Sequence, residues 1–353
     1  MDVSFTKLRK EAVALLLLAA AIVGLTVAFV LPSQHSGPHD LPIGVAGAAT
    51  TGVAERLDAA QSGAFDLRQY SSSDAVRAGI TDRKLVGGIV TEADRPAVLI
   101  ATGAGTPIAQ TLKTVAAELS MSTGHRVPVH DLAPTTASDP QAAGLSGLGL
   151  PLVLGGYAPG MLVVLLIADS FVRRLVGVTL FSGVLGLAVA AFLRFGSGTV
   201  DGHYWSVAGA IALGSMAISF VAVGLNEIVG KVGLVLTVLV MLVIGNPLSG
   251  LATGWQWLPA GWGHFGQLLP PGAAGDLLRS LAFFDGAGGA RPVLVLLCWI
   301  AAGALLYGVA WLRLVRAGRA RDAGRDSAAD DGPHPGNLNP EYGNRNERAS
   351  VAP

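Results

Sequence analysis

Residues 12–31 read AVALLLLAAAIVGLTVAFVL, an unbroken apolar run of twenty residues that decides the class of fold. At about 1.5 Å per residue, a helix of this length spans the roughly 30 Å hydrocarbon layer of a bilayer. Lys7, Arg9 and Lys10 precede the run and hold its start in the cytoplasm. The run is long for a signal peptide and residues 27–33 contain no small-x-small cleavage site, so we expect an uncleaved anchor.

The composition places the rest of the chain in a membrane as well. Hydrophobic residues make up 51% and charged residues 14% of the 353, with a mean hydropathy of +0.55, whereas soluble domains carry about a quarter charged residues. A formal net charge of zero removes the electrostatic basis for binding nucleic acid. Cys298 is the only cysteine, so we expect no intrachain disulfide and no thiolate metal site. The richness in alanine, glycine and arginine is typical of a GC-rich genome, such as that of an actinobacterium.

Further apolar runs predict five more membrane-spanning helices, at residues 150–168, 175–193, 205–225, 228–245 and 292–312. Positive charges between and after these runs indicate their orientation. They are Arg173, Arg174, Lys231 and the four arginines Arg313, Arg316, Arg319 and Arg321. All of them fall on the cytoplasmic side if six helices cross the plasma membrane with both termini in the cytoplasm.

Residues 32–149 differ from the rest, because their hydropathy drops and short apolar runs alternate with helical patterns. Strands are predicted at 41–49, 66–70, 85–90, 97–101 and 127–132, and helices at 51–65, 73–82 and 107–122. Strands that alternate with helices favour a mixed sheet covered by helices. The predicted fold is therefore an all-α membrane bundle of six transmembrane helices with an inserted extracytoplasmic α/β domain, which a linker at 134–149 joins to the bundle.

The complete predicted order is a cytoplasmic N-terminus at 1–11, a first span at 12–31, the outer domain and linker at 32–149, a five-helix membrane domain at 150–312, and a disordered cytoplasmic tail at 313–353. Within the membrane domain, residues 246–291 are rich in glycine and proline and predict broken helices. Such segments survive at membrane depth only when protein buries them or when they line a wet cavity, so we expect a re-entrant or interfacial element. Its candidate outer-gate residues are Asn246, Pro247, Trp255, Trp257, Pro270 and Pro271.

No catalytic, cofactor-binding or metal-ligating motif is apparent. The closest approach to a phosphate-binding loop is GLNEIVGKV at residues 224–232, whose spacing is wrong and whose Val232 occupies the place of the required Ser or Thr. Polar and charged residues at the predicted cytoplasmic ends of helices are the remaining candidates, either as helix-end salt bridges and a capped turn or as contacts for a coupling partner. They are Asp169, Arg173, Arg174, Asn226, Glu227 and Lys231.

Three stretches resemble the type-2 ABC exporter permeases and the related phage-infection-protein-like membrane proteins. They are YSSSDAV at 70–76 with LVGGIV at 85–90; VHDLAP at 129–134, which leads through Asp139–Pro140 to GGY at 155–157; and GNPLSG at 245–250 with LLPPG at 268–272 and FFDG at 283–286. The order of anchor, outer domain and later helices is also similar to that family. The resemblance covers nearly the whole chain.

This resemblance implies a homodimeric or heterodimeric permease in the lipid bilayer, driven by a separate cytoplasmic ATPase, that moves an unknown substrate outward without a cofactor of its own. Two features depart from the family: the loop at 169–175 is short for a helix that docks on an ATPase, and the stretch before the first span is brief. A non-transporting envelope scaffold whose outer domain binds a partner therefore remains the alternative. A membrane-embedded enzyme is a third, weaker class.

Overall fold

The computed structural model describes residues 2–47, 52, 62–92, 95–167 and 170–330. It is mostly helical with one small mixed sheet. Five helices are long and apolar enough to cross a membrane: Lys7–Gln34, Gly149–Leu166, Phe171–Gly196, Tyr204–Val229 and Ala290–Arg321. Their length and composition are those of a multi-pass membrane protein.

The described helices are α1 (Asp2–Gln34), α2 (Ser73–Thr81), α3 (Thr106–Thr123), α4 (Ala143–Ser146), α5 (Gly149–Leu166), α6 (Phe171–Ala191), α7 (Tyr204–Val229), α8 (Lys231–Val238), α9 (Trp262–Gly266), α10 (Pro270–Phe283) and α11 (Ala290–Asp330). Short 3₁₀ turns lie at Thr102–Ala104 and Trp255–Trp257, and π-helical turns extend α6 over Phe192–Gly196 and α8 over Leu239–Gly245. The strands are β1 (Leu41–Ala46), β2 (Phe65–Gln69), β3 (Gly87–Glu92), β4 (Arg95–Ile100) and β5 (Val129–Asp131).

The sheet confirms the predicted mixed topology of the outer domain. Its strand order is β2–β1–β3–β4–β5, in which only β3 and β4 are antiparallel. Side chains alternate between two faces: Ile89 and Val98 pack with α3, and their neighbours Val90 and Ala97 pack with α2. A helix therefore covers each face of the sheet. Of the predicted helix at 51–65, the structure describes only residues 52 and 62–65, and Phe65 already belongs to β2.

Helix α7 is the centre of the bundle. Within its most apolar stretch, 78% of the residues are buried, whereas in the other four candidate spans the share is 28% or less. Helix α7 packs against α5, α6, α8 and α10. Small residues permit this close packing: a Cβ atom added at Gly224 would meet the carbonyl oxygen of Gly303 at 2.5 Å. Inside the bundle, the hydroxyls of Ser182 and Ser215 are 2.9 Å apart, and Ser215 donates to the carbonyl oxygen of Gly155.

The predicted span at 228–245 is the exception among the six. Its apolar helix covers only Lys231–Gly245, shorter than the other spans. It reaches Ile218 of α7 through Met241 and ends where Gly245 approaches Pro271. From there α10 continues the packing along α7, with Ala274 next to Gly214. The helix predicted at 228–245 therefore begins three residues later than expected and ends at the expected residue, and α10 lies in the segment 246–291, for which broken helices were predicted.

The last helix also differs from expectation. Helix α11 continues to Asp330, whereas the sequence predicts a disordered tail from residue 313. Its apolar part, Ala290–Arg321, is one of the five candidate spans. Residues 331–353, the remainder of the predicted tail, lie outside the described residues.

Candidate functional site

The bundle has two ends with different chemistry. We call the end where α5 begins, α6 ends and α7 begins the domain end, because the outer domain contacts it. We call the opposite end, where α5 ends, α6 begins and α7 ends, the far end. The structure describes five of the six predicted coupling residues, and all five lie at the far end. The predicted outer-gate residues lie at the domain end.

A buried ion pair closes the far end. Arg174, in the first turn of α6, pairs with Glu227, in the last turn of α7, and their side chains are only 12% and 16% exposed. Arg174 also donates to the carbonyl oxygen of Ile167, and Tyr307 donates to that of Phe171. The prediction placed Asn226 and Glu227 in a loop, but both lie within α7. The structure therefore gives Arg174 and Glu227 a clamping role between two helices.

The remaining far-end residues face outward or are not described. Arg173 and Lys231 are exposed, and neither has an ion pair among the described residues. Asp169 lies outside the described residues, so the predicted salt bridge to it stays a prediction. Gly230 joins α7 to α8 with φ of +67°, a conformation that side-chain-bearing residues rarely adopt. The far end thus presents two exposed cations beside a tight helical hairpin.

At the domain end, α10 lies between the outer domain and the bundle. Arg279 of α10 is 4% exposed and donates hydrogen bonds of 2.8 Å to the carbonyl oxygens of Gly103, in the outer domain, and Leu251. Arg83 of the outer domain pairs with Asp276, one turn earlier on α10. These two arginines satisfy groups that burial would otherwise leave unpaired.

Aromatic side chains from residues 246–291 complete the outer domain. Phe284 belongs to the core on the α2 face of the sheet, and Arg83 lies 5.2 Å from the centre of its ring. Trp257 packs against the core on the α3 face. On each face of the sheet, the core therefore includes or contacts an aromatic residue from a segment 100 or more residues later in the chain. This packing connects the core of the domain with the bundle.

Asp139 joins the linker to the loop between α6 and α7. Its carboxylate accepts hydrogen bonds from the backbone N–H groups of Ala143 and Gly144, at 2.7 and 2.8 Å, and from the Thr199 hydroxyl at 2.7 Å. Burial by itself raises the pKa of Asp139, but the hydrogen bonds from Gly144, Thr199 and Ala143 outweigh it and hold the pKa below its ordinary value of 3.8. Asp139 is therefore ionised at neutral pH.

A cleft of about 500 Å³ opens at the domain end between α1 and the bundle. Its walls come from residues 29–36 at and just beyond the end of α1, residues 146–150 between α4 and α5, and residues 246–258. We call it the outer cleft. The predicted gate residues Asn246, Pro247 and Trp257 line it, and Gly149 approaches Asn246 so closely that an added Cβ would lie 2.7 Å from its Oδ1 atom.

The other predicted gate residues lie elsewhere. Trp255 packs edge-on against His264, with ring centres 4.8 Å apart, in a second cavity of about 300 Å³ that charged side chains of the outer domain also line. Pro270 and Pro271 are buried in the first turn of α10, where a missing N–H costs nothing. The predicted gate residues therefore lie in three places: the outer cleft, the second cavity and the first turn of α10.

Sequence reasoning missed Arg83, Asp139, Asp276 and Arg279 as contacts between domain and bundle. A signal was available for Arg279, because it lies three residues after Asp276 on a short helix with few other charges. Among the described residues, no group of three or more His, Cys, Asp or Glu could hold a metal ion. Comparisons of this chain with protein-family models, with curated proteins and with solved structures find no match.

Proposed function

We propose that this protein is the membrane subunit of an exporter that a separate ATPase drives, with six crossings of the plasma membrane and both termini in the cytoplasm. The observation that carries this proposal is the course of α7. Its last turn holds Glu227 at the far end, while its first half packs on α10, which in turn holds the outer domain through Arg279. One buried helix thus connects the candidate coupling surface with the candidate gate.

This arrangement suits transmission of movement across a membrane. Protein interiors are close-packed and transmit strain rather than absorb it, and α7 is the most buried of the candidate spans. A push on the hairpin at Gly230 therefore shifts α7 against its neighbours. Because α8 and α10 meet end to end at Gly245 and Pro271, the shift opens or closes the wall of the outer cleft between them.

The exposed cations at the far end are the proposed contact with the ATPase. We expect Arg173→Glu combined with Lys231→Glu to abolish co-purification of a stoichiometric ATPase in mild detergent, because both changes reverse charge on an exposed surface and touch no buried ion pair. Arg316→Glu combined with Arg319→Glu is the matched control, with the same double reversal of charge in the exposed tail helix. If no ATPase co-purifies with the unaltered protein, the export function is wrong.

The six-crossing topology has its own test. In a Cys298→Ser background, Arg319→Cys should react with a membrane-impermeant maleimide only after the cells are permeabilised, as Arg173→Cys should. If Arg319→Cys reacted in intact cells while Arg173→Cys did not, residues 231–245 would not complete a crossing.

A groove of about 750 Å³ on the outer domain favours the envelope scaffold as a second candidate. Arg95, Lys113 and Arg126 line it, and none of them forms an ion pair among the described residues. Such a basic groove suits an acidic partner outside the cell. Recovery of an envelope protein that Lys113→Glu releases, in a preparation without an ATPase, would support the scaffold over the exporter.

A further inference from the structure

No charged side chain among the described residues lines the outer cleft. Every residue that lines it, within 29–36, 146–150 and 246–258, is apolar, a glycine, a proline, a hydroxyl residue or an asparagine. The second cavity, which shares Leu258 with it, is lined by Asp40, Arg68, Arg83 and Lys84. Because the two cavities are neighbours, the absence of charge is a property of the outer cleft and not of this whole end of the molecule.

The hydroxyl groups of the outer cleft can accept but not donate hydrogen bonds to a ligand. Each hydroxyl residue of the lining donates its proton to a backbone carbonyl oxygen, at 2.6 to 3.2 Å: Ser33, Ser36, Ser146, Ser249 and Thr253. A carbonyl oxygen cannot donate, so the direction of each bond is fixed. These hydroxyl oxygens can therefore only accept hydrogen bonds from a ligand.

Trp257, one of the lining residues, carries an indole N–H that can donate. Asn246 supplies the side-chain group that can both donate and accept. Its side-chain amide forms no hydrogen bond with any described residue, and it is half-buried in the wall of the cleft. A carboxamide offers both donors and acceptors. It therefore matches a ligand group that also does both, which is the property of a hydroxyl.

One mouth of the outer cleft is apolar. Phe29 of α1 and Leu150 of α5 are 39% and 49% exposed, on two helices whose outward surfaces are apolar enough to contact lipid. An occupant can therefore leave a hydrocarbon chain between these helices while its polar part lies among residues 246–253. The volume of about 500 Å³ falls within the range of small-molecule sites.

We infer that the outer cleft binds a lipid with an uncharged, hydroxyl-rich headgroup, such as a glycosyl diacylglycerol. The ligand's hydroxyls donate to the lone pairs of the serines and Thr253, and one of them also accepts from Asn246. A phosphate or carboxylate would meet lone pairs of the same sign of charge, and an ammonium would be buried without a counter-ion. As a statement about cargo this inference rests on the proposed export function, whereas binding can be measured without any ATPase.

The test uses two photoactivatable lipids with identical acyl chains, monoglucosyl diacylglycerol and glucuronosyl diacylglycerol, which differ by one carboxylate. With the full chain in nanodiscs, we expect the glucosyl probe to label residues 29–36 or 246–253 at least about fivefold more than the glucuronosyl probe. Asn246→Leu should lower glucosyl labelling by about fivefold, as loss of one neutral hydrogen bond does. Equal labelling by both probes, or labelling that Asn246→Leu leaves unchanged, would overturn the inference.

A second variant guards against misfolding of Asn246→Leu. Ser33→Ala removes one hydrogen-bond acceptor from an exposed position of α1. It should lower glucosyl labelling without changing the elution volume on size-exclusion chromatography. Specific labelling in a preparation from which no ATPase is recovered would leave the binding site intact and refute export. Recovery of the ATPase with equal labelling by the two probes would support export and refute the proposed binding site.

Discussion

Each end of the bundle has a largely buried ion pair, and the two pairs are buried to nearly the same extent but join different parts of the chain. Arg83–Asp276 at the domain end is 10% and 15% exposed and joins two parts of the chain 193 residues apart. Arg174–Glu227 at the far end is 12% and 16% exposed and joins neighbouring helices. Around the first pair lie Arg279 and the aromatic residues from segment 246–291, and around the second lie exposed cations. The domain end therefore joins distant parts of the chain, whereas the far end joins neighbouring helices and exposes two cations.

Removing Arg279 should produce the largest effect on this comparison. Arg279→Met leaves the buried carbonyl oxygens of Gly103 and Leu251 without donors, so we expect a loss of about 4 kcal/mol in the free energy of unfolding. Chemical unfolding in mixed micelles measures it. Arg279→Lys should lose less, because it keeps the charge and one donor. The control is Arg291→Met, an exposed arginine nearby, and an equal loss in that variant would refute the special role of Arg279.

Matched acid-to-amide changes separate the two ion pairs. Asp276→Asn and Glu227→Gln each leave a buried arginine without its counter-ion, and each should cost about 3 kcal/mol. The locations of the damage should differ: Asp276→Asn should expose the outer domain to proteolysis, whereas Glu227→Gln should not. Equal proteolysis of the outer domain in both variants would mean that the ends are not independent.

Asp139 allows a smaller, pH-dependent test at the domain end. Its folded-state pKa lies below its ordinary value of 3.8, so its contribution is fully present above about pH 4 to 5 and is lost as the pH falls through the folded-state pKa. Asp139→Asn should cost about 2 kcal/mol at pH 7. The difference in melting temperature between this variant and the unaltered protein should shrink as the pH falls from 7 to about 3. A constant difference would contradict the assignment.

The smallest effect is expected from the exposed pair of Asp82 and Lys84, whose side chains are 55% and 68% exposed. Asp82→Asn should change the free energy of unfolding by less than about 0.5 kcal/mol, because solvent screens exposed ion pairs. The same unfolding measurement checks it. A loss as large as that of Asp276→Asn would undermine the use of burial to rank these pairs.

The sequence predicts most elements because periodicity carries their signal. Continuous apolar runs locate α1, α5, α6, α7 and the apolar part of α11, and alternation locates the five strands to within a few residues. The run at 228–245 also locates a helix, but that helix covers only Lys231–Gly245 and is shorter than the other spans, so the sixth crossing stays a prediction. The chain breaks near Gly245, and α10, which carries Asp276 and Arg279, supplies the remaining packing on α7.

The candidate site was harder to predict, because its contacts join residues far apart in sequence. Asn246 and Pro247 were selected for their helix-breaking character, and they do line the outer cleft. Trp255 was selected as an aromatic residue of the same segment, and it lies in the second cavity. Arg174 and Glu227 were selected as helix-end charges, yet only the structure pairs them across 53 residues. Pairing of this kind depends on tertiary packing, which no local pattern contains.

The central claim is that the outer domain and the far end lie on opposite sides of one membrane, and labelling of two cysteines tests it most directly. In a Cys298→Ser background, Met121→Cys places a thiol on an outer-domain residue that is 78% exposed, and Arg173→Cys places one at the exposed far end. A membrane-impermeant maleimide should label Met121→Cys in intact cells and Arg173→Cys only after permeabilisation. Labelling of both in intact cells, or of neither, would contradict the account.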